Sequence, residues 1–149
     1  MSATYNNQIF RTRLEARWAA FFDLAGWKWS LTPAPVGNWA PEFRVEFPCG
    51  HSECAPSHVL LVAVLPVDDS EAFAAHPSQK HVYGINTEGL DEKPSLDLHS
   101  DVDAGAGFGS FPEATVWQFA HGAGGGIFSV AEWVDDPMRL WKKTEDLVS

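Results

Sequence analysis

Pro41-Glu-Phe-Arg-Val-Glu-Phe-Pro-Cys49-Gly-His51-Ser-Glu-Cys54-Ala-Pro-Ser-His58-Val-Leu-Leu-Val-Ala63-Val-Leu65-Pro66 reads as two β-strands joined by a Cys/His-rich elbow. The second strand, Val59 to Leu65, is an unbroken apolar run rich in β-branched residues, the pattern of a strand buried on both faces. The first, Glu42 to Phe47, alternates instead, with Phe43, Val45 and Phe47 on one face. Because strand side chains alternate, Ala63 and Leu65 share one face of the second strand and Val62 and Val64 the other.

Outward from this pair, the spacing predicts a helix over 8–25, where Phe10, Leu14, Trp18, Phe21 and Ala25 form one apolar stripe. Gly26 is placed to stop it. Glu15 lies beside the stripe rather than opposite it. Trp27 to Thr32 alternates as a half-exposed strand, and Pro33, Pro35 and Gly37 then break the chain. Behind the buried strand, Asp69-Ser-Glu71 before Ala72-Phe-Ala-Ala75 reads as a capped short helix. His81 to Ile85 and Thr115 to Phe119 are predicted strands. Residues 86–110 read as a loop with at most one short strand near Leu96 to Leu98, and 121–126 as a turn or flexible loop. A last helix is expected from Asp136-Pro137, with Met138, Trp141 and either Leu147 or Val148 inward. No internal repeat or long linker divides the chain, so residues 1–149 are expected to form a single α/β (in looser terms α+β) domain with a mixed sheet.

The composition agrees with a packed core: 45% of residues are hydrophobic, with seven Trp and ten Phe. The longest apolar run is far shorter than the roughly 20 residues needed to cross a bilayer. Met1 to Gln8 carries no basic segment followed by an apolar one, so no signal peptide is predicted. Two cysteines then favour a reducing cytoplasm over a disulfide. The net charge of −10 arises wholly in residues 66–149, which hold fifteen acidic and five basic residues. That excludes an unaided grip on a phosphate backbone by this half. It suits solubility, or a surface that imitates nucleic acid and docks on a basic partner.

The order Phe10-Arg-Thr-Arg-Leu-Glu15-Ala-Arg-Trp18-Ala-Ala-Phe-Phe-Asp23, Gly26-Trp-Lys-Trp29, Pro41-Glu-Phe43 resembles a phage and bacterial group of the PD-(D/E)XK, or restriction-endonuclease-like, superfamily. The likeness covers about residues 9–67 and implies a nuclease-like core, with residues 68–149 as an acidic elaboration. In that family, carboxylates hold Mg²⁺ against the scissile phosphate and a lysine helps position the attacking water. Glu15 matches the family's helix glutamate, and Glu42 stands where aspartate is usual. Ala63 replaces the expected second-strand acid and Leu65 the expected lysine. The resemblance therefore implies a vestigial site, with Lys80 and Glu71 as conceivable stand-ins. The plainer account of Glu15 is a helix-surface charge paired with an arginine, and of Glu42 a solvent-facing carboxylate.

The elbow carries a second constellation. Cys49, His51, Cys54 and His58 are four zinc-type ligands within ten residues, able to clamp the turn with a closed Cys2His2 site, and His76 is a possible substitute. The alternative is a pair of reduced thiols among surface histidines. Gly105 to Gly109 and Gly122 to Gly126 lack the lysine and strand–loop–helix setting of a phosphate loop and read as flexible loops. Trp117, Phe119 and Phe128, without basic neighbours, read as core. The functional expectation is a catalytically degenerate nuclease-like protein that binds a protein partner through an acidic surface, in the manner of a phage-type inhibitor or accessory factor. An active Mg²⁺-dependent DNA endonuclease and a zinc-stabilised structural module are the alternatives.

Overall fold

The computed structural model describes residues 2–37, 39–49, 56–80, 101–121 and 124–149. Strands β1 (Ala3–Tyr5) and β2 (Gln8–Phe10) form an antiparallel hairpin, followed by helix α1 (Arg13–Ala25). Six strands then build one sheet: β3 (Lys28–Leu31), β4 (Phe43–Pro48), β5 (Ser57–Val64), β6 (Ala104–Phe108), β7 (Thr115–His121) and β8 (Gly124–Phe128). Their order in space is their order in sequence, with every pairing antiparallel except β5 beside β6. Helix α2 (Pro137–Leu147) closes the described chain. The protein is therefore α+β with a mixed sheet.

The β4–β5 pair forms as expected, in the register Phe43↔Val62, Val45↔Leu60, Phe47↔His58. Alternation splits β5 between two cores. Leu60, Val62 and Val64 join the main core under α1 and α2, whereas Val59, Leu61 and Ala63 pack with Val36, Trp39 and Val102 on the other face. Short 3₁₀ turns over Ser70–Phe73 and Pro77–Lys80 cover that second face where β6 crosses it. Asp69 caps the first of these, its side chain accepting the Glu71 N–H. The main core is largely aromatic: Trp18 lies 4.4 Å from Trp141 and 4.7 Å from Phe108 between ring centroids, and Trp27 stacks on Phe47 at 4.5 Å.

Three expectations need correction. The first helix starts at Arg13, not residue 8. Asn6 and Asn7 both take positive φ (52° and 63°), the two-residue turn that reverses a hairpin, so Phe10 reaches the core from a strand. Thr12 supplies the true helix start, its hydroxyl accepting the Glu15 N–H. Next, Gly105 to Gly109 is no flexible loop: residues 104–108 are the fully buried strand β6. Glycine is required there because a Cβ at Gly105 would strike the Ser78 carbonyl and one at Gly107 the Phe73 ring. Finally, much of the supposed turn at 121–126 belongs to β7 and β8. The strands expected at His81 to Ile85 and near Leu96 to Leu98 lie outside the described residues.

Gly26 ends α1 as expected, at φ 78°, with its N–H on the Asp23 carbonyl. Trp141 of α2 and Val148 just beyond it are buried, whereas Leu147 is exposed. Trp117 and Phe119 are core residues, and Phe128 packs against them.

Candidate functional site

Glu15 and Glu42 come together at the end of the sheet beneath the β1–β2 hairpin. Glu15 sits in the first turn of α1 because Thr12-x-x-Glu15 has capping-box spacing. Its Oε2 accepts from the Thr12 hydroxyl at 3.0 Å and from Arg11 Nε at 3.2 Å. Glu42 precedes β4 and follows the buried Pro41. Its Oε1 accepts from Arg11 Nη2 at 3.0 Å and its Oε2 from the Val64 N–H at 3.1 Å. One guanidinium thus bridges both carboxylates. Burial pushes the Glu42 carboxyl up, while the Val64 and Arg11 hydrogen bonds pull it back. The two glutamates, with Arg11, Ile9, Leu31 and Pro41, line a pocket of ≈ 270 Å³.

Neither plain account of these residues holds in full. Glu15 does pair with an arginine four residues away, but its side chain is only 8% exposed. Glu42 is half-buried rather than solvated. In the sheet register, the position opposite Glu42 is Ala63, one step beyond the Phe43↔Val62 pair. Ala63 is buried against Val36 and Trp39 on the face away from α1. Leu65 is half-buried and donates its backbone N–H to the Phe108 carbonyl at 3.1 Å. Glu71 and Lys80 are exposed on the 3₁₀ turns, and neither lines the pocket.

The donor set is a poor match for Mg²⁺. Three of the four carboxylate oxygens already accept N–H or O–H hydrogens, and neither Ala63 nor Leu65 offers a side-chain ligand. Magnesium demands near-octahedral oxygen coordination, and here a guanidinium occupies the space between the acids.

The remaining arginines of the α1 motif are spent inside the molecule. Arg13 donates to the Val148 carbonyl at 3.2 Å and the Glu145 carbonyl at 3.1 Å, satisfying the end of α2. Arg17 donates to Thr144 Oγ1 at 2.8 Å and the Trp141 carbonyl at 2.9 Å, with its guanidinium 4.1 Å from the Trp141 ring centre. The run Arg11-Thr-Arg-Leu-Glu-Ala-Arg17 is in this sense a fastening strip between α1, β4 and α2. Periodicity had no means of showing this, because the carbonyls it fastens lie over 120 residues away.

At the elbow, Cys49 and His58 are described and His51 and Cys54 are not. Cys49 N–H donates to the Pro56 carbonyl at 2.9 Å, extending the β4–β5 ladder. Alternation then puts the Cys49 and His58 side chains on one face, diagonal to each other. His58 lies among Phe47, Phe119 and Trp133, with Asp103 Oδ2 3.4 Å from its Nδ1. His76 is elsewhere, bonded through Nδ1 to Ser78 and near Trp39, and burial pushes its imidazole down. Among the described residues, no three His, Cys, Asp or Glu side chains are grouped to hold a metal ion. No helix among them is long and apolar enough to cross a membrane.

The fold and pocket together define an α+β protein with a six-stranded mixed sheet and an arginine-bridged pair of glutamates at one end of it. Compared with protein-family models, curated proteins and solved structures, the chain matches none of them.

Proposed function

We propose that this protein is a catalytically degenerate, nuclease-like scaffold that acts by binding another protein. The observation that carries the reading is the Arg11 bridge. A cleavage site of the resembled type needs its carboxylates open to metal and a lysine beside them. Here one guanidinium bridges both acids, and alanine and leucine stand at the other two positions. With hydrolysis disfavoured, the charge of −10 points to a partner with a basic, nucleic-acid-handling surface, such as a host defence protein countered by a phage-type inhibitor.

The expected result with supercoiled plasmid and either Mg²⁺ or Mn²⁺ is intact DNA at every protein concentration. Nicking that disappears in Glu42→Ala would replace this reading with an active endonuclease. Affinity capture from a bacterial lysate should then retain a nucleic-acid-binding protein, released by raising the salt. Retention that ignores salt would contradict an electrostatic interface.

A zinc-stabilised elbow is a second reading, favoured by the shared face of Cys49 and His58, between which the sequence places His51 and Cys54. One equivalent of zinc by elemental analysis, lost in Cys49→Ser, is its expected signature. Metal-free protein purified without chelators would remove it.

A further inference from the structure

The pocket over Glu15 is short of positive charge. Two carboxylates face one guanidinium, and that guanidinium is 70% exposed and so partly screened. Glu15 is nearly buried, and its hydrogen bonds from Arg11 and Thr12 both fall on Oε2, so Oε1 is the oxygen left for water or an incoming donor. Above the acids the walls are greasy, with Ile9, Leu31, Pro33 and Pro41 around the opening. Ile9 is 74% exposed, an apolar side chain held out at the rim.

These features specify an occupant with a cationic tip and an apolar stem. An anion would meet net negative charge. A hydrated metal ion would find mostly N–H-saturated oxygens and leave the apolar walls wet. From the geometry we infer that this pocket receives an arginine or lysine side chain of a protein partner, its stem along Ile9 and Leu31 and its head on Glu15. Long basic side chains bury their methylenes against apolar surface in this way while keeping the charge on an acceptor. The inference rests on the binding role proposed above and narrows it to one subsite.

The test is a titration of isotope-labelled full-length protein with N-acetyl-arginine amide, followed by NMR at the backbone amides of Ile9, Arg11, Leu31 and Thr32. Saturable shifts at these four positions are expected, absent with the uncharged citrulline analogue. Glu15→Gln should weaken the response about tenfold, the scale of one charge-assisted hydrogen bond. Because Glu15 also supports the start of α1, Ile9→Lys serves as a second variant. It places a competing cation at an exposed rim position and should abolish the shifts without disturbing the fold. Equal shifts with citrulline, shifts confined to other parts of the molecule, or Mg²⁺ saturating the same amides at lower concentration would each overturn the subsite. If arginine peptides bind only elsewhere on the protein, the subsite fails while the binding role stands. Failure of that role is distinguished by metal-dependent plasmid cleavage.

Discussion

Glu42 shows how one side chain serves two masters. Its carboxylate closes the end of the β4–β5 ladder by accepting the Val64 N–H, and it also anchors Arg11. Desolvation holds its pKa above the ordinary value of 4.5. The folded protein therefore keeps a proton there that the unfolded chain has already lost. Stability from this group falls as pH rises through the window just above 4.5 and is level beyond the folded pKa. Urea unfolding of wild type and Glu42→Gln should show it: wild type gains on the variant as pH drops from 7 to 4.5. A difference that does not move with pH would mean that burial is not felt. Tyr5 offers a second readout. Burial, together with its 2.5 Å hydrogen bond to the Asp23 carboxylate, pushes its hydroxyl up to about 12. Its phenolate absorbance, assigned by Tyr5→Phe, should appear only above pH 11; ionisation near pH 10 would mean the bond is not made in solution.

Among the elements, β6 carries the sharpest consequence. Gly105 is pressed against the Ser78 backbone, which cannot yield as a flexible side chain would. Gly105→Ala should cost about 2–4 kcal/mol by chemical denaturation, in the range of overpacked core substitutions. On β8, a Cβ at Gly126 would meet nothing closer than Phe128 at 3.6 Å. Gly126→Ala should be neutral or stabilising by up to about 1 kcal/mol, through a less flexible unfolded chain. Equal effects at the two sites would contradict the packing. For α1, Thr12→Ala should cost about 1 kcal/mol as the lost cap. Some of these elements were legible beforehand. The β4–β5 pair, the Gly26 stop and the Pro137 start follow from alternation, left-handed φ and a fixed proline φ, all local effects. Strand β6 was hidden because a glycine-rich strand lacks the side chains that make a pattern. Its reason for being a strand lies in the turns packed on it.

At the scale of the molecule, the two ends of the described chain are tied together. Thr4 and Ser149 exchange backbone hydrogen bonds at 2.9 and 2.8 Å, and Arg13 and Arg17 pin α2 to α1. Arg17→Met keeps the stem but removes the bonds to Thr144 and Trp141, and should lower stability by about 1–3 kcal/mol. An unchanged midpoint in thermal or urea unfolding would show the strip to be dispensable. The same closure brings the hairpin over α1 and the β3–β4 connection, and so shapes the pocket at Glu15.

By itself the sequence determined an aromatic core, a doubly buried central strand next to an alternating one, a helix on each side of the sheet-forming segments, and acid concentrated in the second half. These are properties of periodicity and composition, and they survive any detail of packing. Only the tertiary structure decided that Arg11 spans Glu15 and Glu42, that Ala63 faces away from α1, and that the glycine run of β6 is buried. Each depends on which groups distant in the chain meet in space. That is set by sheet register and helix placement, neither of which leaves a local mark in the order of amino acids.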